Sequence, residues 1–292
     1  MAKITVGVPV FNGAASLRTC LECLRDQSFR DIEVIIADNG SQDESVAIAQ
    51  AFVDSDPRFR LIRHASNIGA KANFLSVLEA ASCELFMWRA DDAWSDADFI
   101  EKLAQVFTRN PDIALAVPKI RILHHDGSLW QDQMFLVSEK NWQAARIGDT
   151  MLAFSANAIY GLWRREPLLA SMKRGLLLYP PLSGWDHITT FPFVLDELVA
   201  GTNDTMLVLR SNPAPREPDR FSAFEMFAMR RNFRLVSLMA LRERKWTFCE
   251  RVVLEYYTRR YAAKNIYRFS KTLRHLIRST LGIQRKRRKR TA

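Results

Sequence analysis

The feature that most constrains the fold is a unit repeated four times: a short apolar run, a polar turn, then a stretch with apolar residues at helical spacing. The runs are ITVGVPV (4–10), IEVIIAD (32–38), FRLIRH (59–64) and ELFMW (84–88). The first two are β-branched and apolar nearly throughout, as strands covered on both faces must be. Ser16 is placed to cap a first helix whose buried face is Leu17, Cys20, Leu21 and Leu24, at i, i+3, i+4 and i+7. Further helices are predicted over roughly 43–53, 70–82 and 96–109. Strand–helix alternation at this spacing implies an α/β fold, a Rossmann-like, mostly parallel sheet with flanking helices and right-handed crossovers. Ligands of such sheets bind beyond the carboxyl ends of the strands. Asn12-Gly13, Asp38-Asn39-Gly40-Ser41, the stretch His64 to Gly69 and Asp91-Asp92 all fall at those ends.

Composition excludes several classes. The chain has 292 residues, 48% hydrophobic and 25% charged, enough to bury a large core and unlike a disordered or collagen-like chain. No window approaches ~18 uninterrupted apolar residues, the length of a membrane span. The opening MAKITVGVPVFNG reads as a strand and turn, without the layout of a cleaved signal peptide. Cys20, Cys23, Cys83 and Cys249 are too few and scattered for a disulfide framework, which points to a reducing, cytoplasmic compartment. Cys20 and Cys23 lie inside the first amphipathic helix, where core packing explains them. His124-His125-Asp126-Gly127 reads as a hairpin turn. Neither a Gly-x-Gly-x-x-Gly nor a Walker-type loop is present, against dinucleotide and P-loop sites.

Charge is distributed unevenly. Residues 221–292 hold 20 Lys/Arg and 4 Asp/Glu, a charge of +16, whereas residues 1–220 carry −6. The Pro-rich stretch SNPAPREPDR (211–220) resembles a linker, so a body over 1–215 and a helical, basic extension over 216–292, disordered from 282, are expected. Over 264–281, Ile266, Phe269, Leu273, Leu276 and Ile277 fall on one side of a helix and Lys264, Arg268, Lys271, Arg274 and Arg278 on the other, before RKRRKR (285–290). The favoured partner is an anionic membrane surface. A solvated helix with a basic tail is the alternative, and the tail would attract nucleic acid only non-specifically, since no RNA- or DNA-reading motif accompanies it.

Residue types then suggest chemistry. A carboxylate after a strand, such as Asp38, can accept a hydrogen bond from a nucleobase N–H, or simply close an Asx turn in DNGS. The adjacent Asp91 and Asp92 suit a hard divalent cation, or a solvated turn before the next helix.

VGVPVFNGAASLRTCLECLRDQS, IEVIIADNGSQDES, NIGAKANF and FMWRADDAWSDADF, in this order, resemble glycosyltransferase family 2, with its GT-A fold. The likeness covers about the first 110 residues and continues more weakly in AIYGLWRREPL (158–168), SGWDHI (183–188) and the helix-plus-strand stretch 196–210. It implies an inverting glycosyltransferase using a nucleotide-sugar donor, UDP-linked by expectation, with Mn2+ or Mg2+ as cofactor. By that resemblance Pro9, Phe11 and Asn12 line the nucleoside pocket and Asp38 recognises the base. Asn67, Gly69 and Lys71 form the loop beside the nucleotide, and Asp91 and Asp92 meet the ribose and the metal. Arg89 and Ala90 stand where relatives carry Asp-Ser or similar, so Arg89 can itself offer positive charge to the diphosphate.

Asp186 matches the base that takes the acceptor's proton, and Trp185 replaces the Glu that often precedes it. His187 is the alternative base, and Trp185 either stacks on a sugar or packs in the core. The expected acceptor is a cell-surface glycan or lipid-linked glycan at the inner face of the membrane. A catalytically weakened nucleotide-sugar-binding protein, or a basic nucleic-acid-binding protein, are the other classes considered.

Overall fold

The computed structural model describes residues 3–124, 126–135, 140–181, 183–210 and 221–266. The linker 211–220 and residues 267–292, which hold most of the expected basic helix and all of the tail, lie outside the described residues.

The first half follows the strand–helix repeat: β1 (Ile4–Val10), α1 (Ala14–Arg25), β2 (Ile32–Asp38), α2 (Ser45–Ser55), β3 (Phe59–Arg63), α3 (Ala70–Ala80) and β4 (Leu85–Trp88). Then come β5 (Trp94–Ser95), α4 (Phe99–Arg109), β6 (Leu115–Leu123), β7 (Leu129–Gln133), α5 (Gln143–Ala153) and a 3-10 turn (Ala156–Tyr160). β8 (Leu162–Arg164), α6 (Arg165–Leu178), α7 (Trp185–Leu195), β9 (Val199–Arg210), α8 (Ala223–Arg242) and α9 (Phe248–Asn265) complete the chain described. α1 begins three residues before the position expected from Ser16. Gly13 is its cap residue, and the Gly13 carbonyl accepts from the Ser16 and Leu17 amides. The stretch 196–210 is almost wholly strand, with Asp196 only ending α7.

The strands form one sheet in the order β3-β2-β1-β4-β8-β6-β9-β5, with β7 paired to β6. β1 lies parallel between β2 and β4, and β3 is parallel to β2. β8 is antiparallel to both β4 and β6, β5 is antiparallel to β9, and β6 and β9 are parallel. The expected parallel sheet is therefore the first half, and the second half is mixed.

Side-chain alternation divides the core in two. Ile32, Val34 and Ile36 of β2 and Leu85 and Met87 of β4 join one apolar layer with α1, α2 and α4. Ile35, Ala37, Phe86 and Trp88 point into the other, larger layer with α3 and α5 to α9. Gly7 in β1 serves that second layer, because a Cβ there would come 2.9 Å from Phe86 Cζ and Val77 Cγ2. The described part of the basic C-terminal extension thus shares its core with the sheet: Phe233 of α8 and Tyr261 of α9 are fully buried in it. α9 stops at Asn265, and Ile266, expected on the apolar side of a surface helix, is extended and buried instead.

Candidate active site

The carboxyl ends of β1, β2 and β4 converge. Asp38, the last residue of β2, is buried, and its carboxylate accepts from the Ser41 amide at 3.2 Å, so the Asx-turn reading holds locally. The same residue lines a cavity of about 340 Å³ with Gly40, Ser41, Gln42, Arg63 and His64. Asn12 takes a left-handed backbone conformation (φ 51°), which Asn tolerates better than most residues. Its amide donates to Ser41 Oγ at 2.9 Å and its Oδ1 accepts from the Gln42 amide at 2.8 Å. Asn12 therefore ties the end of β1 to the turn after β2. Pro9 lies within β1 beside Ala37, and Phe11, the residue after β1, is 45% exposed.

Asn67 organises the next loop. Its Oδ1 accepts from the Asn39 side chain at 3.0 Å and the Gly69 amide at 2.8 Å. Gly69, at φ 90°, starts α3 in a conformation that favours glycine. Lys71 is half-buried: its ammonium donates to the carbonyls of Pro180 and Pro181, the latter at 3.1 Å, and burial holds its pKa below the usual lysine value. It braces the start of α3 against the segment leading into α7.

Asp91 and Asp92 follow β4. The Asp91 carboxylate lies against Gly13, where any Cβ would overlap its Oδ2. Burial, with Asp92 and Asp43 nearby, pushes the Asp91 carboxyl up to about 7. Burial also raises Asp92, opposed by the Arg210 charge. Two crowded, desolvated carboxylates are the donor set a hard cation would relieve. Among the described residues no group of three or more His, Cys, Asp or Glu is disposed to hold a metal. A cation there would take Asp91 and Asp92 from the protein and complete its shell elsewhere, as Mg2+ commonly does. The pair fits the metal.

Arg89 departs from the expectation. Alternation along β4 turns it away from the Trp88 side, and its fully buried guanidinium donates to Ser95 Oγ at 3.0 Å and lies 4.8 Å from the Phe99 ring centroid. Its positive charge is enclosed between α1 and α4 rather than offered to a diphosphate.

α7 presents Asp186 in its first turn, where its Oδ1 accepts the His187 amide at 2.7 Å. Gly184 makes that start possible: it is left-handed (φ 86°), and a Cβ there would overlap Ile266 Cδ1. Trp185 sits edge-on to Phe74 and Trp88, at 5.4 and 6.5 Å between centroids, which is a packing role. His187 is buried, with Nδ1 2.9 Å from the Tyr261 hydroxyl, and burial lowers its pKa. Tyr160 links the two acidic positions: burial and then the charges of Asp92, Asp186 and Asp91 raise its phenol. Tyr160, Asp43 and Arg210 escape a sequence reading. Asp43-x-Ser45 offers a local signal, since Asp43 accepts the Ala14 amide and Ser45 Oγ accepts that of Gly13. Tyr160 and Arg210 carry none.

A family model for glycosyl transferase family 2 matches residues 5–161, and the chain belongs to that family. EpsH of Bacillus subtilis is 34% identical over 112 residues, 38% of this chain and 32% of EpsH. The glycosyltransferase GlyA of Streptococcus pneumoniae is 32% identical over 114 residues, 39% of this chain and 16% of GlyA. The matched stretch thus spans about a third or less of these relatives. TarS of S. aureus, solved with UDP-GlcNAc, superposes with a TM-score of 0.69 at 14% identity, covering 97% of this chain and 76% of that one. The mannosyltransferase PcManGT of Pyrobaculum calidifontis, solved with GDP-Man and Mn2+, gives 0.57 at 14% identity, covering 97% and 81%. The architecture is GT-A.

Proposed function

We propose that this family member is a glycosyltransferase that transfers a sugar with inversion from a UDP-sugar to a saccharide acceptor carried at an anionic membrane face. The observation that carries the reading is the convergence of the Asp38 cavity, the Asp91–Asp92 pair and Asp186 around the carboxyl edge of β1, β2 and β4. The UDP-GlcNAc complex of TarS, a chain of the same architecture, supports the donor class.

Asp38 would accept the base N–H, and the exposed Phe11 ring would stack on the nucleoside. A divalent ion on Asp91 and Asp92 would supply charge neutralisation for the departing diphosphate. Asp186, held at the start of α7, would take the proton of the acceptor hydroxyl as that oxygen bonds to the donor's anomeric carbon. The bond from that carbon to the phosphate oxygen breaks on the opposite face, and the electron pair leaves with UDP. Lys71, bound to the Pro180 and Pro181 carbonyls, keeps the nucleotide loop and the Asp186 segment in register.

Two experiments test this. UDP release from pooled UDP-sugars reports turnover directly, and its absence under all acceptors and metals tried would sink the activity. Asp38→Ala should weaken UDP binding by roughly 1–3 kcal/mol, the cost of leaving a buried donor unpaired. Unchanged affinity in calorimetry, with the fold intact, would remove Asp38 from the pocket.

The membrane face rests on α9 as well as on charge. No described helix is long and apolar enough to cross a bilayer. Phe248, Val252 and Tyr256 recur every four residues along α9 and are 82%, 53% and 56% exposed, beside the exposed Arg251, Arg259 and Arg260. An apolar stripe edged with arginine suits an anionic interface.

A further inference from the structure

The thiols of Cys20 and Cys23 have no part in the transfer chemistry, yet they grip both ends of the segment that carries Asp91 and Asp92. The Cys20 thiol donates to the Ala90 carbonyl at 3.3 Å. Cys23 Sγ accepts from the Ser95 amide at 3.3 Å and donates to the Ser95 carbonyl at 3.4 Å. Gln27, fully buried just after α1, adds a bond from Nε2 to the Asp96 carbonyl at 2.9 Å. Residues 90–96 are thus tied to α1 and the turn that follows it. We infer that Cys23 is a modification site: hydrogen peroxide oxidises its sulfur, Arg89 holds the product, and the segment bearing Asp91 and Asp92 is loosened. The consequence for turnover rests on the glycosyl-transfer reading above, whereas the modification itself does not.

The unmet donors of Arg89 are the first argument. Its side chain is fully buried, and Nη2 donates to Ser95 Oγ at 3.0 Å. Nε and Nη1 have no hydrogen-bond partner among the described residues. Ser95 Oγ lies in turn 3.6 Å from Cys23 Sγ, so one hydroxyl separates the guanidinium from the thiol. The ionisable groups that the Arg89 charge faces are Cys23 and then Cys20. A neutral thiol is a weak acceptor, which leaves the two N–H groups unmet in the reduced protein. An oxygen added to Cys23 is the acceptor they lack, and as a sulfenate it also carries the opposite charge.

Access then selects the thiol. Cys20 is 1% exposed and Cys83 9%. The Cys83 thiol also points at the Glu33 carboxylate, whose charge opposes an anionic sulfur. Cys249, at the start of α9, is exposed, so charges around it are screened by solvent. Of the four cysteines, Cys23 combines partial exposure with a buried cation beside it, the surroundings in which thiols react.

The Cys23 sulfur, its proton given to solvent, attacks one oxygen of hydrogen peroxide. The S–O bond forms as the O–O bond breaks, and the departing hydroxide takes up a proton to become water. Sulfur is oxidised by two electrons and the peroxide is reduced by the same two. The S–H that met the Ser95 carbonyl is gone, and an oxygen turned toward Arg89 draws the sulfur away from the Ser95 amide. The Ser95 end of the segment then loses both of its bonds to Cys23.

The experiment treats the full chain with equimolar hydrogen peroxide in the presence of dimedone, which traps sulfenic acids, and locates the adduct by peptide mass spectrometry. The adduct should form at Cys23 ahead of Cys249, and not at Cys20 or Cys83. In Arg89→Met labelling of Cys23 should slow about tenfold, the worth of one hydrogen bond to a charged group, with Cys249 unaffected. Arg89→Lys, which keeps the charge, should label nearly as fast as the wild type. Hydrogen–deuterium exchange reads the segment itself, because the Ser95 amide is bonded to the sulfur. Oxidation without dimedone should speed exchange in peptides covering 89–96 and lower turnover. Dithiothreitol, closing to its own disulfide as the sulfenic acid returns to thiol and water, should reverse both. Cys23→Ser, compared with its own untreated state, should show neither change. Preference for Cys249, labelling of Cys23 indifferent to Arg89→Met, or exchange unmoved by oxidation would each overturn the assignment. Faster exchange on oxidation, with no UDP-sugar turned over in either redox state, would uphold the thiol site and overturn the glycosyl-transfer reading instead.

Discussion

At the scale of single residues, Asp186 and Arg89 show how one charge is presented and another enclosed. Asp186 is half-buried in the first turn of α7 with one oxygen on the His187 amide, and in the role proposed for it the other would take the substrate proton. Asp186→Asn keeps that shape and removes the basicity, so turnover should fall by roughly 10²–10⁴ with UDP affinity unchanged. Equal turnover would pass the role to another group. Arg89 has one hydrogen bond and one ring contact, and its Nε and Nη1 are buried without partners among the described residues. Desolvating such a charge can cost more than its contacts return. Arg89→Met should therefore hold or raise stability in denaturant unfolding, whereas Arg89→Ala, which leaves a void, should lose about 2–4 kcal/mol. Asp38, Asp91 and Asp92 are legible in sequence because each stands where a strand ends, whereas Asp186 is marked only by the likeness of SGWDHI to the family. The orientation of Arg89 is not legible, because its partners Ser95 and Phe99 belong to elements formed later.

At the scale of elements, the start of α7 is the joint on which the site turns. Gly184 supplies a left-handed residue and clearance for Ile266 at once. Gly184→Ala should cost about 1–3 kcal/mol in backbone strain and lower kcat while donor affinity is kept, measurable by unfolding and steady-state assays. Inside α7, burial keeps the His187 pKa below its ordinary 6.5, opposed by Asp186 and aided by Lys264. The unfolded chain then binds a proton below that pH that the folded chain refuses. The contribution of His187 to stability is thus full above the unfolded pKa and lost as pH falls beneath it. His187→Gln should flatten the decline of Tm between about pH 7 and pH 5; an identical profile would show the acid sensitivity to lie elsewhere.

At the scale of the whole molecule, α8 and α9 close the larger core: Phe233 and Tyr261 pack edge-on around His187, with ring centroids 6.3 and 5.5 Å away. A cut at the linker would strip these rings from α7, whereas a cut after Ile266 leaves them in place. The shorter deletion removes 10 Lys/Arg and no Asp/Glu. With each basic residue worth about 1 kcal/mol at an anionic leaflet, residues 1–266 should stay folded, bind UDP and lose flotation with anionic liposomes. Full flotation of the truncated chain would assign membrane contact to α9 alone.

The sequence by itself determined the parallel half of the sheet, the amphipathic helices beside it and the polar strand ends that converge on the candidate site. Those follow from contacts between near neighbours and from side-chain periodicity, which a linear pattern records. Only the tertiary structure decided the mixed order of the second half, the brace from Lys71 to Pro180 and the meeting of Tyr160 with three distant carboxylates. Each joins residues far apart in the chain, about a hundred positions for Lys71 and Pro180, and no local pattern encodes which distant partner a buried polar group will find.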